Sequence, residues 1–411
     1  MIKNILSGFP SYEKLEKIMN GGAFPAYREA NGHIHTPYSF SAFDQLETLF
    51  SMARAEEIKT LGINDFYVTD GYEAFHELCL MYGIFPLFNI EFIGLMPEKQ
   101  KNRIRINDPN NPGRIYFCGK GLDYPFNIDK ENRDLLDRIK EETQNQLKEM
   151  TSKLNILISK TNPDLMLDFD EIRKKYAHDL VRERHLARAI RCTAADNYHT
   201  LKDQMKFIES LYGGRRSKTG MNNTAELENE IRTMLLKAGG EAFVEEEEKS
   251  FLSMEKVLEI ITGAGGIPCY PALLDDSAGR FTEFEGDFRR LYSSLTDLGV
   301  GCIELIPGRN NLEILREFVR FFDDKGFIIT FGTEHNTPEM IPLTISARNG
   351  EHLDDWLKIV NWRGICTIAA HQYFRARKKR GFIDENGHPR KESKKDFEKT
   401  GQLVIEYFLR K

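Results

Sequence analysis

Two histidines, His33 and His35, stand two residues apart near the start of the chain. Side chains alternate along an extended chain, so both imidazoles would point to the same side of a strand and could bind one cation. An isolated HxH pair is weak evidence for a metal site, because most histidines in proteins do not bind metal. Carboxylates recur at the ends of other predicted strands, at Asp70, Glu91, Glu304 and Glu334. Imidazole and carboxylate ligands together suit Zn, Mn or Fe.

Alternating strand and helix patterns at both ends of the chain predict how these residues come together. Strands are predicted at 32–35, 65–69, 85–95, 266–270, 302–306 and 327–331. Helical patterns follow these strands, and the first of them begins near Leu46. Such alternation is typical of a parallel α/β barrel or an open parallel sheet, with the active site at the carboxyl ends of the strands.

The middle of the chain has a different character, because polar helical patterns at 134–158 and 168–195 replace the strands. The segment 213–223 (GGRRSKTGMNN) has the composition of a loop. We therefore predict three parts. Residues 1–119 form the first part of an α/β barrel, 120–249 a helical insertion, and 250–411 the second part of the barrel with C-terminal helices.

Composition narrows the class of protein. The 411 residues carry 57 Lys+Arg against 63 Asp+Glu, a net charge of −6, which argues against binding nucleic acid mainly through positive charge. A hydrophobic content of 41% supports a sizeable core. No apolar run approaches the roughly 18 residues of a membrane span, and the N-terminus lacks a secretory signal, so we expect a cytoplasmic protein without a membrane partner. Six separated cysteines indicate neither a disulfide framework nor a zinc knuckle.

The strand-end residues resemble the motifs of the polymerase and histidinol phosphatase (PHP) family of metal-dependent phosphoesterases. The resemblance covers 31–94 and 266–337 and leaves out the helical middle. Its strongest piece is 33–39 (HIHTPYS), which is similar to the family's HxHT motif followed by Tyr-Ser. Later motifs of the family are similar to Val68–Gly71, Asn89–Glu91, Pro268–Pro271, Gly301–Glu304 and Gly332–Asn336.

The resemblance implies a distorted (β/α)7 TIM-type barrel, here with a large helical insertion, and a cluster of up to three metal ions. Three positions that usually hold histidine ligands are Gly71, Tyr270 and Asn336 in this chain, and the usual terminal aspartate is a glutamate. The metal ligands that we predict on this basis are His33, His35, Glu91, Glu334 and His185. The alternative for His185 is an ordinary histidine on a solvated amphipathic helix.

The resemblance also suggests roles for residues around the metal cluster. As catalytic residues we predict Asp70, Tyr270 and His335. Asp70 would complete or orient the ligand shell, Tyr270 would steady developing charge, and His335 could take the place of a missing histidine one residue early. For the phosphate group of a substrate we predict Arg184, Arg188 and Asn336.

The sequence thus predicts a divalent-metal-dependent hydrolase of phosphoesters that acts on a small phosphorylated metabolite and holds one to three Zn, Mn or Fe ions. Two alternatives stay open. The missing family histidines would fit a degenerate barrel that binds a ligand or partner without turnover. Family relatives fused to replicative polymerases suggest a nuclease acting on single-stranded nucleic acid, although the acidic charge argues against it. The sequence determines neither the substrate nor the oligomeric state.

Overall fold

The computed structural model describes residues 4–19, 24–384 and 387–411. Its centre is one sheet of eight strands. The strands are β1 (Ala30–Ile34), β2 (Thr60–Phe66), β3 (Phe85–Leu95), β4 (Arg114–Lys120), β5 (Leu252–Ser253), β6 (Ile267–Ala272), β7 (Cys302–Leu305) and β8 (Ile328–Phe331).

Helices surround this sheet and extend from it. They are α1 (Tyr12–Met19), α2 (Leu46–Ala55), α3 (Tyr72–Tyr82), α4 (Pro97–Lys101), α5 (Lys130–Thr161), α6 (Phe169–Tyr176), α7 (Glu183–Asn197), α8 (Leu201–Leu211), α9 (Thr224–Ile231), α10 (Met254–Gly263), α11 (Phe288–Asp297), α12 (Leu312–Asp324), α13 (Asp355–Ala376) and α14 (Lys394–Leu409). None of the described helices is both long enough and apolar enough to cross a lipid bilayer.

The sheet curls into a nearly closed barrel. Seven strands follow one another in the order β1-β2-β3-β4-β6-β7-β8, and the short β5 pairs with β3. The segment after β8 returns to β1, where Glu334 N donates to His33 O (3.0 Å) and His35 N donates to Glu334 O (2.8 Å). The predicted distorted TIM-type barrel is therefore confirmed. The expectation that its strands are all parallel is wrong for β4, which runs antiparallel to β3 and to β6.

The second strand lies earlier in the chain than predicted. Sequence patterns place it at 65–69 after a helix that ends at Gly62, whereas β2 spans Thr60–Phe66 and includes that glycine. A Cβ on Gly62 would lie 2.4 Å from Gly32 O, so this glycine allows β1 and β2 to approach each other rather than ending a helix. As a result, Asp65 and not Asp70 stands at the carboxyl end of β2.

Helix α13 packs across the seam between β1 and β8. The Asn361 side chain accepts a hydrogen bond from Phe331 N (2.8 Å) and donates one to Ala30 O (3.1 Å), so it joins the two strands. His371, on the same helix, points its Nε2 at Gly265 O (2.6 Å) and is fully buried. This helix therefore stabilises the barrel through polar bonds to backbone groups that the sheet leaves unpaired.

The helices α5 to α9, with a π-helical turn at Arg232–Leu236, follow β4 and have a hydrophobic core of their own. The predicted helical stretch at 168–195 is interrupted, because residues 177–182 between α6 and α7 are not helical. Leu180 and Val181 are buried there. The predicted loop at 213–223 is confirmed, since it joins α8 to α9.

Candidate metal centre

The two histidines face one side of β1, as their spacing predicts, and meet a glutamate of β3. His33 Nε2 and His35 Nε2 lie 3.2 Å apart. Glu91 Oε2 lies 3.1 Å from His35 Nε2 and 3.7 Å from His33 Nε2. Tetrahedral ligands about 2.1 Å from a metal ion are separated by about 3.4 Å. The three side chains, each at most 3% exposed, therefore have the spacing of ligands to one ion.

Glu91 is the residue whose surroundings most favour a cation. Its Oε2 is buried and makes no hydrogen bond with the described residues, which is also true of Glu304 Oε1. Burial raises the pKa of Glu91 to about 8, although His33 opposes this shift. A buried carboxylate oxygen without a partner is unfavourable unless it binds a proton or a cation. With two imidazole nitrogens beside it, this oxygen fits a divalent ion.

A buried ion pair lies on the inner side of His33. Glu304 of β7 places Oε1 2.9 Å from His33 Nδ1 and Oε2 2.5 Å from Lys120 Nζ of β4. Lys120 also donates to Asn64 Oδ1 (3.1 Å) and to Gly32 O (3.3 Å). Burial opposes both charges, but Glu304 raises the pKa of Lys120, and His33 and Lys120 bring the pKa of Glu304 well below its usual range. Each member of this pair thus favours the charged form of the other.

Asp65 supports His35 from the opposite side. Its Oδ1 accepts hydrogen bonds from Ser39 Oγ (2.6 Å) and Thr36 N (2.7 Å), and its Oδ2 accepts one from Thr36 Oγ1 (2.5 Å). His35 Nδ1 lies 3.3 Å from Ser39 Oγ and 3.9 Å from Asp65 Oδ1. This arrangement turns the Nε2 atom of His35 toward Glu91, which is how polar neighbours orient a metal-binding histidine.

Glu334 lies at the barrel seam and has a cationic partner. Its carboxylate pairs with Arg309 and accepts a hydrogen bond from Asn336 Nδ2 (2.7 Å). Burial raises the pKa of Glu334, but the charge of Arg309 outweighs this effect and lowers it. Glu334 and His335 both adopt left-handed backbone conformations (φ 60° and 55°), which are strained for residues with a Cβ and are concentrated at functional sites.

A cavity of about 440 Å³ opens above these groups. Its wall includes six acidic side chains, those of Glu91, Asp108, Glu183, Glu246, Glu304 and Glu334, and six cations, those of Arg114, Arg182, Arg184, Arg232, Lys237 and Arg309. Arg182 lies 4.7 Å over the ring of Phe66, and that ring stacks on His35 at 4.8 Å. In the described part of the chain, Arg182 and Arg184 have no carboxylate within 4.0 Å. The cavity thus combines a possible metal site with two guanidinium groups that have no acidic partner.

The structure places His185 and Arg188 away from this cavity wall. His185 Nδ1 accepts a hydrogen bond from Arg182 N (2.9 Å), and its ring packs against Phe40. Burial lowers the pKa of His185 to about 3, so the ring is neutral. Arg188 pairs with Asp44 (2.8 Å). Both residues line a neighbouring groove on the other side of Phe40, which contributes to the walls of both spaces.

The three predicted catalytic residues are not brought together. Asp70 is exposed just before α3. The hydroxyl of Tyr270 is buried and donates to Glu285 Oε1 (2.7 Å). His335 donates from Nε2 to Ile341 O (2.9 Å), and its Nδ1 lies 2.8 Å from Thr333 Oγ1, so both ring nitrogens have partners. Of the predicted substrate-binding residues, Arg184 and Asn336 line the cavity.

Sequence reasoning missed Asn64, Asp65 and Lys120, and it noted Glu304 without making it a candidate. A signal for Lys120 existed, because 114–120 (RIYFCGK) has the aromatic and β-branched residues of a strand. Asp65 was missed because the predicted strand 65–69 begins at this residue, whereas it lies near the carboxyl end of β2. The predicted start of the strand depended on the interpretation of Gly62 as the end of a helix.

Comparison with known proteins supports the fold. No protein-family model matches the chain, and no curated protein matches it. Among solved structures, a protein of Bifidobacterium adolescentis described as a candidate metal-dependent phosphoesterase is similar, with a TM-score of 0.51, 15% identity and coverage of 81% of this chain and 95% of that one. An amidohydrolase from Chromobacterium violaceum, solved with bound sulfate and no metal, is similar with a TM-score of 0.51, 17% identity and coverage of 80% and 95%. At these identities the likeness concerns the barrel fold.

Proposed function

We propose that this protein is a divalent-metal-dependent hydrolase that cleaves phosphoesters of small phosphorylated molecules. The observation that carries the proposal is the trio of His33, His35 and Glu91, whose ligand atoms lie 3.1–3.7 Å apart and include a buried carboxylate oxygen that makes no hydrogen bond with the described residues. The names of the two structural neighbours, a candidate metal-dependent phosphoesterase and an amidohydrolase, agree with this class of reaction.

The trio would hold Zn, Mn or Fe, and a divalent ion there supplies activation of water and neutralisation of charge on the scissile group. Asp65 would keep His35 turned toward the ion, and Glu304 would do the same for His33. We place Glu334 at the edge of the ligand set, because Arg309 and Asn336 already occupy its oxygen Oε2.

The cavity wall favours an anionic substrate. Arg182 and Arg184 carry positive charge without acidic partners among the described residues, and Arg184 is further fixed by a hydrogen bond to Asn229 (2.6 Å). Guanidinium groups bind phosphate oxygens in a planar, bidentate manner. A volume of about 440 Å³ accommodates a small molecule rather than a duplex or a long strand. We therefore assign Arg182 and Arg184 to the phosphate and Asn336 to another polar group of the substrate.

Metal-dependent turnover with matched variants tests the proposal. The protein would be stripped with a chelator, reloaded with Zn, Mn or Fe, and assayed on para-nitrophenyl phosphate and bis(para-nitrophenyl) phosphate. We expect hydrolysis only after metal addition. Glu91→Gln should lower kcat/KM at least about 100-fold, because it removes a direct ligand, whereas the exposed control His199→Gln should not change it.

Substrate binding can be tested separately from metal binding. Arg182→Met should raise KM by about tenfold or more through loss of a charged hydrogen bond, with metal content unchanged, while the exposed Arg216→Met should have no effect. Metal binding without hydrolysis of either ester would contradict the proposal and favour a barrel that binds ligands without turnover. Cleavage of single-stranded DNA in preference to both esters would instead indicate a nuclease.

A further inference from the structure

We propose that the Lys120 ammonium group takes the place of a second metal ion, so that the centre holds a single divalent ion between His33, His35 and Glu91. This inference rests on the proposed function, because it concerns the number of ions at the same site. Lys120 would then be a positioning residue that supplies a fixed positive charge on the inner side of His33.

A second set of metal-ligand atoms includes the carboxylate that the ammonium group binds. His33, Cys118 and Glu304 offer ligand atoms that all lie within 4.8 Å of one another, and all three residues are buried. A nitrogen, a sulfur and a carboxylate oxygen at this spacing are donors that suit Zn. The set shares His33 with the outer trio, so ions in both places would be close neighbours.

Lys120 fills this inner place with a satisfied cation. An ammonium group has three protons to donate. Lys120 directs them to three acceptors, Glu304 Oε2 (2.5 Å), Asn64 Oδ1 (3.1 Å) and Gly32 O (3.3 Å). The side chain is 0% exposed to solvent. A divalent ion entering the inner set would have to displace the ammonium group from Glu304 or lie next to it, and both are unfavourable.

The same contacts explain how one ion is held well. Because Glu304 lies 2.9 Å from His33 Nδ1, the proton of the imidazole belongs on that nitrogen and the lone pair on Nε2, which lies near Asn64 Nδ2 (3.0 Å), His35 and Glu91. Lys120 holds Glu304 in place for this task. A lysine, a glutamate and a histidine in series therefore set the tautomer of one ligand of the outer ion.

The number of ions in the wild-type protein is the first test. The whole chain would be loaded with excess Zn, freed of unbound metal, and measured by elemental analysis and by X-ray absorption at the Zn edge. We expect one Zn per chain and no Zn–Zn vector. Two Zn ions per chain, whether or not a Zn–Zn vector is seen, would overturn this inference and leave the proposed function standing. A chain that binds no Zn would overturn both.

A charge variant gives the second test. Lys120→Met removes the cation that neutralises Glu304, the carboxylate of the second set, so we expect it to bind two Zn ions per chain. Lys218→Met, an exposed control in the loop after α8, should bind one as the wild type does. One Zn per chain with unchanged affinity in Lys120→Met would overturn the inference, because a role confined to packing leaves the ion count unaltered. If Lys120→Met fails to fold, the number of Zn ions bound by the wild-type chain decides the question.

Discussion

Gly332 lies where the chain leaving β8 passes His33, and we expect Gly332→Ala to weaken Zn binding at the proposed metal centre. An added Cβ would lie 2.3 Å from His33 Cβ and 2.9 Å from His33 N. Carbon atoms in ordinary contact are about 3.5–4.0 Å apart, so the two segments would have to separate by about 1.5 Å. Both contacts involve main chain or Cβ, which no side-chain rotation can move.

Two effects of this separation can be estimated. Overpacking of a buried site costs about 1–3 kcal/mol of unfolding free energy. The hydrogen bond from Glu334 N to His33 O (3.0 Å) closes the barrel at this point and would lengthen. Functional side chains tolerate errors of only about 0.5 Å, so moving His33 relative to Glu91 should raise the Zn dissociation constant at least about tenfold.

The two effects need separate measurements. Urea unfolding in the presence of a chelator gives the stability of the metal-free chain, and competition with a chromophoric chelator gives Zn affinity. The matched control is Gly308→Ala, whose Cβ would meet only Ser346 O at 3.8 Å and should leave both quantities unchanged. Wild-type Zn affinity together with a wild-type urea midpoint in Gly332→Ala would refute the reasoning that this seam positions the metal ligands.

Two further predictions concern stability. Burial raises the pKa of Glu285 to about 7, so the folded state keeps a proton that the unfolded chain releases near pH 4.5. As pH rises from 4.5 to 8, the free energy of unfolding of the wild type should therefore fall by up to about 3 kcal/mol relative to that of Glu285→Gln, as measured by urea unfolding at several pH values. If the two proteins show the same dependence of unfolding free energy on pH, the carboxyl is not buried in this way. Gly401→Ala would place a Cβ 1.7 Å from Cys366 O where α14 crosses α13, so we expect it to lower the free energy of unfolding by at least about 3 kcal/mol. The control Gly263→Ala, whose Cβ would meet nothing within 4 Å, should not lower it. Equal urea midpoints for the two variants would contradict this close helix crossing.

The barrel and the histidine pair were predictable because their signals are local. Strand and helix alternate with different periods, and an HxH pair on a strand has only one way to place both rings on one face. Glu91 was found for the same reason, since it lies in the middle of a long apolar run that reads as a strand. These features depend on neighbours within a few residues, which sequence patterns record directly.

The inner half of the site was not predictable in this way. Asp65 was not selected because Gly62 resembles the end of a helix. A glycine is needed at position 62 for another reason, which is the close approach of Gly32 on the neighbouring strand. Lys120 was assigned to the edge of a polar insertion, because a lysine is rarely buried and its partner Glu304 lies 184 residues away in the chain. Long-range pairing of this kind leaves no periodic pattern.

The charges around the site point to a divalent ion once partners are assigned. Lys120 neutralises Glu304, and Arg309 neutralises Glu334. Two buried carboxylates then remain, Asp65 and Glu91, and burial raises the pKa of each. Without a cation they would tend to take up protons, whereas an ion bound to Glu91 and to two neutral imidazoles would favour the charged form of both. Glu91 is the carboxylate whose oxygen meets both histidines, and Lys120 already pairs with the inner carboxylate of Glu304, so the geometry fits one divalent ion rather than two.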